Sequence, residues 1–147
     1  MTDREKDCLF YVCSLIEYTA RKTLNQRGAV VCALGEDGIR RQLQDAEVNH
    51  CISFEQVSDE IIADYGIENG DFDTITSCRY PVPGFLDIGR LYSIIIEHCA
   101  DTGKELETLI GVFTSFLSDE ISNFKTGLYY QNPDYLEWSY REGYLLD

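Results

Sequence analysis

Phe85-Leu86-Asp87-Ile88-Gly89-Arg90-Leu91-Tyr92-Ser93-Ile94-Ile95-Ile96-Glu97-His98-Cys99 is the stretch that decides the fold. Phe85, Ile88, Tyr92, Ile95 and Cys99 recur at alternating steps of three and four, which place side chains on one face of an α-helix; a strand would repeat every second residue. Leu91, Ile94 and Ile96 widen the stripe until the middle of the helix is apolar almost all round, so this helix is expected at the centre of the molecule. Pro81-Val82-Pro83-Gly84 immediately before it prevents a continuous helix from running through.

Downstream, Thr102-Gly103-Lys104-Glu105 has capping-box spacing and predicts a tight turn. A single long helix should follow, through Leu106, Leu109, Ile110, Phe113, Phe116, Leu117, Ile121 and Phe124, antiparallel to the central one. Asn132-Pro133 reads as an N-cap followed by proline at the first helical position, with Leu136, Tyr140 and Tyr144 on one face of the last helix. Upstream, Leu9, Val12, Ile16 and Thr19, with Cys13 and Ala20 beside them, predict a first helix from about Asp3 to Leu24, closed by Asn25 to Gly28. Ala29 to Leu34, the turn Gly35-Glu36-Asp37-Gly38, and Ile39, Leu43 and Ala46 read as helix, turn and helix. Ser53-Phe54-Glu55-Gln56 is a second capping box, opening a helix that should stop at Gly66. Asn69-Gly70 marks a turn, with a short helical turn expected after Asp71. No stretch sustains alternation, so the chain is predicted to be all-α: one domain over residues 1–147, a bundle of five to seven helices with one irregular segment around residues 67–84.

Of the 147 residues, 12 are Lys or Arg and 26 are Asp or Glu, a formal net charge of −14. A hydrophobic content of 44% is too high for a disordered acidic tail, and no apolar run approaches the roughly 18 residues of a membrane span. No membrane association is therefore expected. The N-terminus, Met1 to Asp7, alternates charges where a secretory signal needs an apolar run, which favours a cytoplasmic location. So acidic a surface repels phosphate backbones, and direct nucleic-acid binding is not expected. The charge is unevenly placed: residues 1–45 hold seven basic and seven acidic side chains, residues 46–147 five basic and 19 acidic. Arg21, Lys22, Arg27, Arg40 and Arg41 form a locally basic interval in the neutral part. Cys8, Cys13, Cys32, Cys51, Cys78 and Cys99 have no paired spacing and mostly lie in apolar stretches, so they read as reduced and structural.

Candidate chemistry is sparse. His50-Cys51 and His98-Cys99 each pair two zinc ligands, but neighbours on a helix point about 100° apart, so one dipeptide does not easily present both to one ion. Glu68-Asn69-Gly70-Asp71-Phe72-Asp73 resembles a cation loop in composition, yet the twelfth residue from Asp71 is Val82 where an EF-hand needs Glu. A turn with Asp71 or Asp73 as a cap is the plainer account. Arg40, Arg41, Gln42 and Gln44 could form a DNA-reading face after the turn at residue 35, against the repulsion of the remaining −14. Phosphate loops, the nucleophile elbow and HExxH are absent. No cofactor and no metal are expected, and an enzyme is the less favoured class; its one candidate constellation is Cys78, His98, Asp71 and Asp73. The densest local feature is aromatic. Tyr129, Tyr130, Tyr135, Trp138, Tyr140 and Tyr144 lie within 16 residues beside Asp134, Glu137 and Glu142, the make-up either of a bundle cap or of an anchor set for a basic protein partner.

Phe10-Tyr11-Val12-Cys13-Ser14-Leu15-Ile16-Glu17-Tyr18, Ala33-Leu34-Gly35, Glu68 to Asp73 and Tyr129-Tyr130-Gln131-Asn132-Pro133 together resemble a group of uncharacterised small acidic helical proteins of Firmicute bacteria. Some similar proteins are encoded beside toxin-like proteins, so the resemblance implies an accessory or neutralising role and carries no catalytic residues. The expected function is a non-enzymatic protein-protein interaction module, antitoxin-like or immunity-like, directed at a basic partner. The alternatives are an acidic nucleic-acid mimic and an enzyme with an unrecognised Cys/His/Asp site.

Overall fold

A computed structural model describes residues 1–146, which form seven α-helices and one 3-10 turn, with no strand among them. The central helix, α4, spans Phe85–Cys99, with Ile88, Leu91, Tyr92, Ile95 and Ile96 buried, as the widened stripe predicts. The Asp87 carboxylate accepts from the Gly84 N–H at 3.1 Å and closes its first turn. α1, Asp3–Thr23, lies along it. Arg21 near the end of α1 donates to the Pro83 carbonyl before α4, Ser14 packs on Gly89, and Met1 and Lys6 border the same hollow as Glu97 and His98. The two helices are therefore antiparallel.

α2, Arg27–Asn49, packs along α1, and α3, Phe54–Tyr65, contacts both. Ser53 caps α3 by accepting from the Gln56 N–H, and Gly66 ends it in the left-handed conformation, both as the spacing predicts. α5, Glu105–Phe113, and α6, Phe116–Ile121, lead through the 3-10 turn Leu128–Tyr130 to α7, Pro133–Glu142, which covers the C-terminal end of α4. One continuous core joins apolar side chains of all seven helices.

Several boundaries differ from the sequence expectation. The break after Leu34 takes one residue, Gly35, at φ 69° and ψ 178°, and the helix resumes at once; Gly38 is a buried helical residue against the Tyr65 ring. Gly28 is not the stop of α1. Leu24 takes the left-handed position at φ 54°, while Gly28 lies inside α2 against the Phe113 carbonyl, where a Cβ would come within 3.1 Å. Thr102 does not cap α5, whose N-cap position is Lys104 without a side-chain bond. The long helix predicted over 105–124 is two, because the Thr114 and Ser115 hydroxyls bond back to the carbonyls of Ile110 and Val112, and Ser115 then caps α6 through the Leu117 N–H. Tyr144 lies beyond the left-handed Gly143 and so does not continue the face of Leu136 and Tyr140. After Asp73 the chain makes a capped turn and no helix. No helix among the described residues is long and apolar enough to cross a membrane.

Candidate functional site

The C-terminal aromatics divide into two sets. Leu136 and Ser139 bury the inner face of α7, and Tyr129, Tyr135 and Tyr140 are half-buried beside it. The Tyr135 hydroxyl donates to the Leu146 carbonyl at 2.6 Å, folding the chain end back over α7, and the Tyr140 hydroxyl lies over Gly111 of α5, where there is no side chain to displace it. These three rings close the bundle. Tyr130, Trp138 and Tyr144 do not: they are 67%, 54% and 60% exposed, against complete burial for Leu136 between them. Helical periodicity puts Asp134 and Glu142 on the same face as Trp138, one turn to either side, and both are exposed. The Trp138 ring meets a single cation, Arg141, at 5.5 Å, and Arg141 is already held by Glu137 at 3.2 Å and by the His98 carbonyl at 2.8 Å.

The other sequence candidates do not assemble into a catalytic group. Asp71 and Asp73 belong to a strap tied to the C-terminal end of α1: the Gly70 and Phe72 N–H groups donate to the Thr23 and Leu24 carbonyls at 2.8 and 2.9 Å, and Asn25 donates to the Glu68 carbonyl. His98 sits at the last turn of α4, beside the opposite end of α1. The 21 residues of α1 separate the two places by about 30 Å. His50 and Cys51 are exposed at the end of α2, and among the described residues no third His, Cys, Asp or Glu joins them in a metal-sized group. Among the described residues, the one group of three metal-ligating side chains close enough for a single ion is His98, Asp134 and Glu137, with Arg141 on the same carboxylate.

The basic interval dissolves into ion pairs. Lys22 bonds Asp59, Arg40 bonds Glu36 and Asp37, and Arg41 faces Asp45 at 3.6 Å. Gln42, one of the side chains that a DNA-reading helix would present, is buried. Arg21 and Arg27 turn inward, to the feature that sequence reasoning missed. Glu17 on α1 is buried and accepts from Arg21 Nε at 3.1 Å and from Arg27 Nε. Arg27 Nη1 reaches the Tyr92 hydroxyl at 3.1 Å, the Ser118 carbonyl at 3.0 Å and Ser122 Oγ at 2.7 Å, so one guanidinium ties α1, α2, α4 and α6. Tyr92 also contacts Ser118 Oγ at 3.1 Å and stacks on Phe113 with ring centroids 4.2 Å apart. A buried carboxylate and guanidinium survive only when paired and hydrogen-bonded, and here both are. The signal was present: Glu17 is four residues from Cys13 and three from Ala20, on the apolar stripe of α1, where an ionised side chain needs an opposite charge from another element.

No family model, curated protein or solved structure matches this chain.

Proposed function

We propose that this protein acts by binding another protein, without chemistry of its own, and that its C-terminal surface carries the contact. The exposure of Trp138 between Asp134 and Glu142 carries the proposal. A tryptophan can bury about 150–250 Å² of surface, and the fold leaves more than half of this one in water although α7 has an inner face to receive it. Aromatic anchors in polar surroundings mark the hot spots of interfaces. Exposed carboxylates around the anchor favour a basic partner by steering encounter and pairing at the rim. The inhibitor or antitoxin-like form of this function rests on the resemblance to the Firmicute proteins. The inward-turned Arg27 and the paired Arg40 and Arg41 weigh against nucleic acid as the direct partner.

The experiment is affinity capture from a native lysate at low and moderate salt, comparing the wild type with Trp138→Ala and with Tyr130→Ser/Tyr144→Ser. A stoichiometric basic protein, captured less at higher salt and lost with Trp138→Ala while the unfolding midpoint stays put, is the expected result. Recovery of no stoichiometric partner, or capture indifferent to all three positions, overturns it.

A further inference from the structure

We propose that the groove between the N-terminal half of α1, the end of α2 and the first turns of α3 and α4 binds a small aromatic anion. The groove has a volume of about 820 Å³, within the roughly 300–1,000 Å³ of small-ligand sites. Phe10, Tyr11 and Phe54 supply aromatic wall, with the Tyr11 and Phe54 rings already stacked at 5.1 Å, so a flat ring has surfaces to lie against.

One polar feature defines the rest of the ligand. The Arg90 guanidinium lies 3.8 Å from the centroid of the Phe10 ring and, among the described residues, has no carboxylate within ion-pair distance. Stacking occupies the face of a guanidinium and leaves its in-plane N–H donors available, the geometry that takes a carboxylate side-on. Ser14, one turn along α1 from Phe10, belongs to the floor of the groove: it is fully buried, and its Oγ is the one buried side-chain polar atom among the described residues that lacks a hydrogen-bond partner. That hydroxyl lies against the Gly89 backbone of α4, where the close approach of the two helices shuts it off from the groove.

The remaining charges fix the orientation. Arg4 is occupied by Glu47. Asp7, also on the lining, stands one turn of α1 from Phe10 and makes no ion pair with Arg90. A ligand carboxylate therefore belongs on the in-plane donors of Arg90, with the ring against the Tyr11–Phe54 pair.

The test is titration calorimetry with 2-naphthoate as the probe and the uncharged 2-naphthamide as its control. The wild type is expected to bind naphthoate saturably at one site and the amide about tenfold more weakly, the loss of one charge-assisted contact. Arg90→Gln, at an exposed position, should weaken naphthoate about tenfold with Arg90→Lys recovering part of it. Ser14→Ala is the control: its hydroxyl does not face the groove, so naphthoate affinity should stay as in the wild type while the unfolding midpoint is unchanged or raised, because a buried orphan hydroxyl is removed. Absence of saturable naphthoate binding, equal affinity for the amide, or affinity unchanged in Arg90→Gln overturns the assignment.

Discussion

The six thiols show how far one residue's chemistry depends on where its helix faces. All six are free. Cys13 is completely buried between α1 and its neighbours, and that burial pushes its thiol far above the ordinary range, so at neutral pH it carries no thiolate to react. Burial also raises Cys8 and Cys99. Cys32 and Cys51 are exposed. The flanking Val31 and Leu34 made Cys32 look like a core residue, but one step along a helix turns a side chain by about 100°, and with Val30, Val31 and Leu34 facing inward Cys32 faces out. A disulfide reagent of the dinitrobenzoate type should therefore label Cys32 and Cys51 in the fast phase, and Cys32→Ser/Cys51→Ser should remove it. Cys13 should react only on unfolding; fast labelling of Cys13 in the native protein would contradict the burial described here.

At the scale of elements, what joins the helices matters as much as the helices. The strap from Glu68 to Thr76 holds the C-terminal end of α1, and its own shape depends on Asp73, whose carboxylate accepts from the Ile75 and Thr76 N–H groups at 2.9 and 3.0 Å. Its bond with the Thr76 side chain, then those from the Thr76 and Ile75 backbone, holds the Asp73 carboxyl below its usual value. A depressed folded value means that the stabilisation is present above the unfolded value of about 3.9 and is lost as pH falls through the folded one. Asp73→Asn should therefore be less stable than the wild type at pH 6 to 7, with the gap in unfolding midpoint closing below about pH 4. A gap independent of pH would refute the capping role. The division of α5 from α6 has a similar origin: apolar spacing runs unbroken from Leu106 to Phe124, and only the hydroxyls of Thr114 and Ser115, competing for backbone partners, cut it.

On the scale of the whole molecule, the uneven charge takes a different form once folded. The positive interval of residues 18–43 contributes no open basic face, since each of its five cations meets a carboxylate. The most consequential is Arg27, 2% exposed, whose loss would leave Glu17 buried with Arg21 as its sole cation. Breaking a buried pair from one side typically costs about 3–5 kcal/mol, whereas removing both charges together is far milder. Arg27→Leu should destabilise by about that amount in denaturant unfolding, and Glu17→Gln added to it should recover part of the loss. A loss under about 1 kcal/mol would mean that the network does not hold the four helices together.

The positions of most helices follow from local pattern: the alternating steps of α1 and α4, the Ser53 cap and Gly66 stop of α3, and Asn132-Pro133 at α7 each act within a few residues, so the chain alone determines them. The aromatic surface was legible only as a concentration of residues, because whether Tyr129 or Tyr130 is covered depends on the helix that packs over it. Tertiary structure decided which rings close the bundle and which face water. It also paired Glu17 with Arg27, stacked Arg90 on Phe10 and left Ser14 without a partner against Gly89. Those outcomes depend on residues brought together from positions up to 80 residues apart, and burial and Coulomb attraction act on distance in space, which spacing along one helix does not encode.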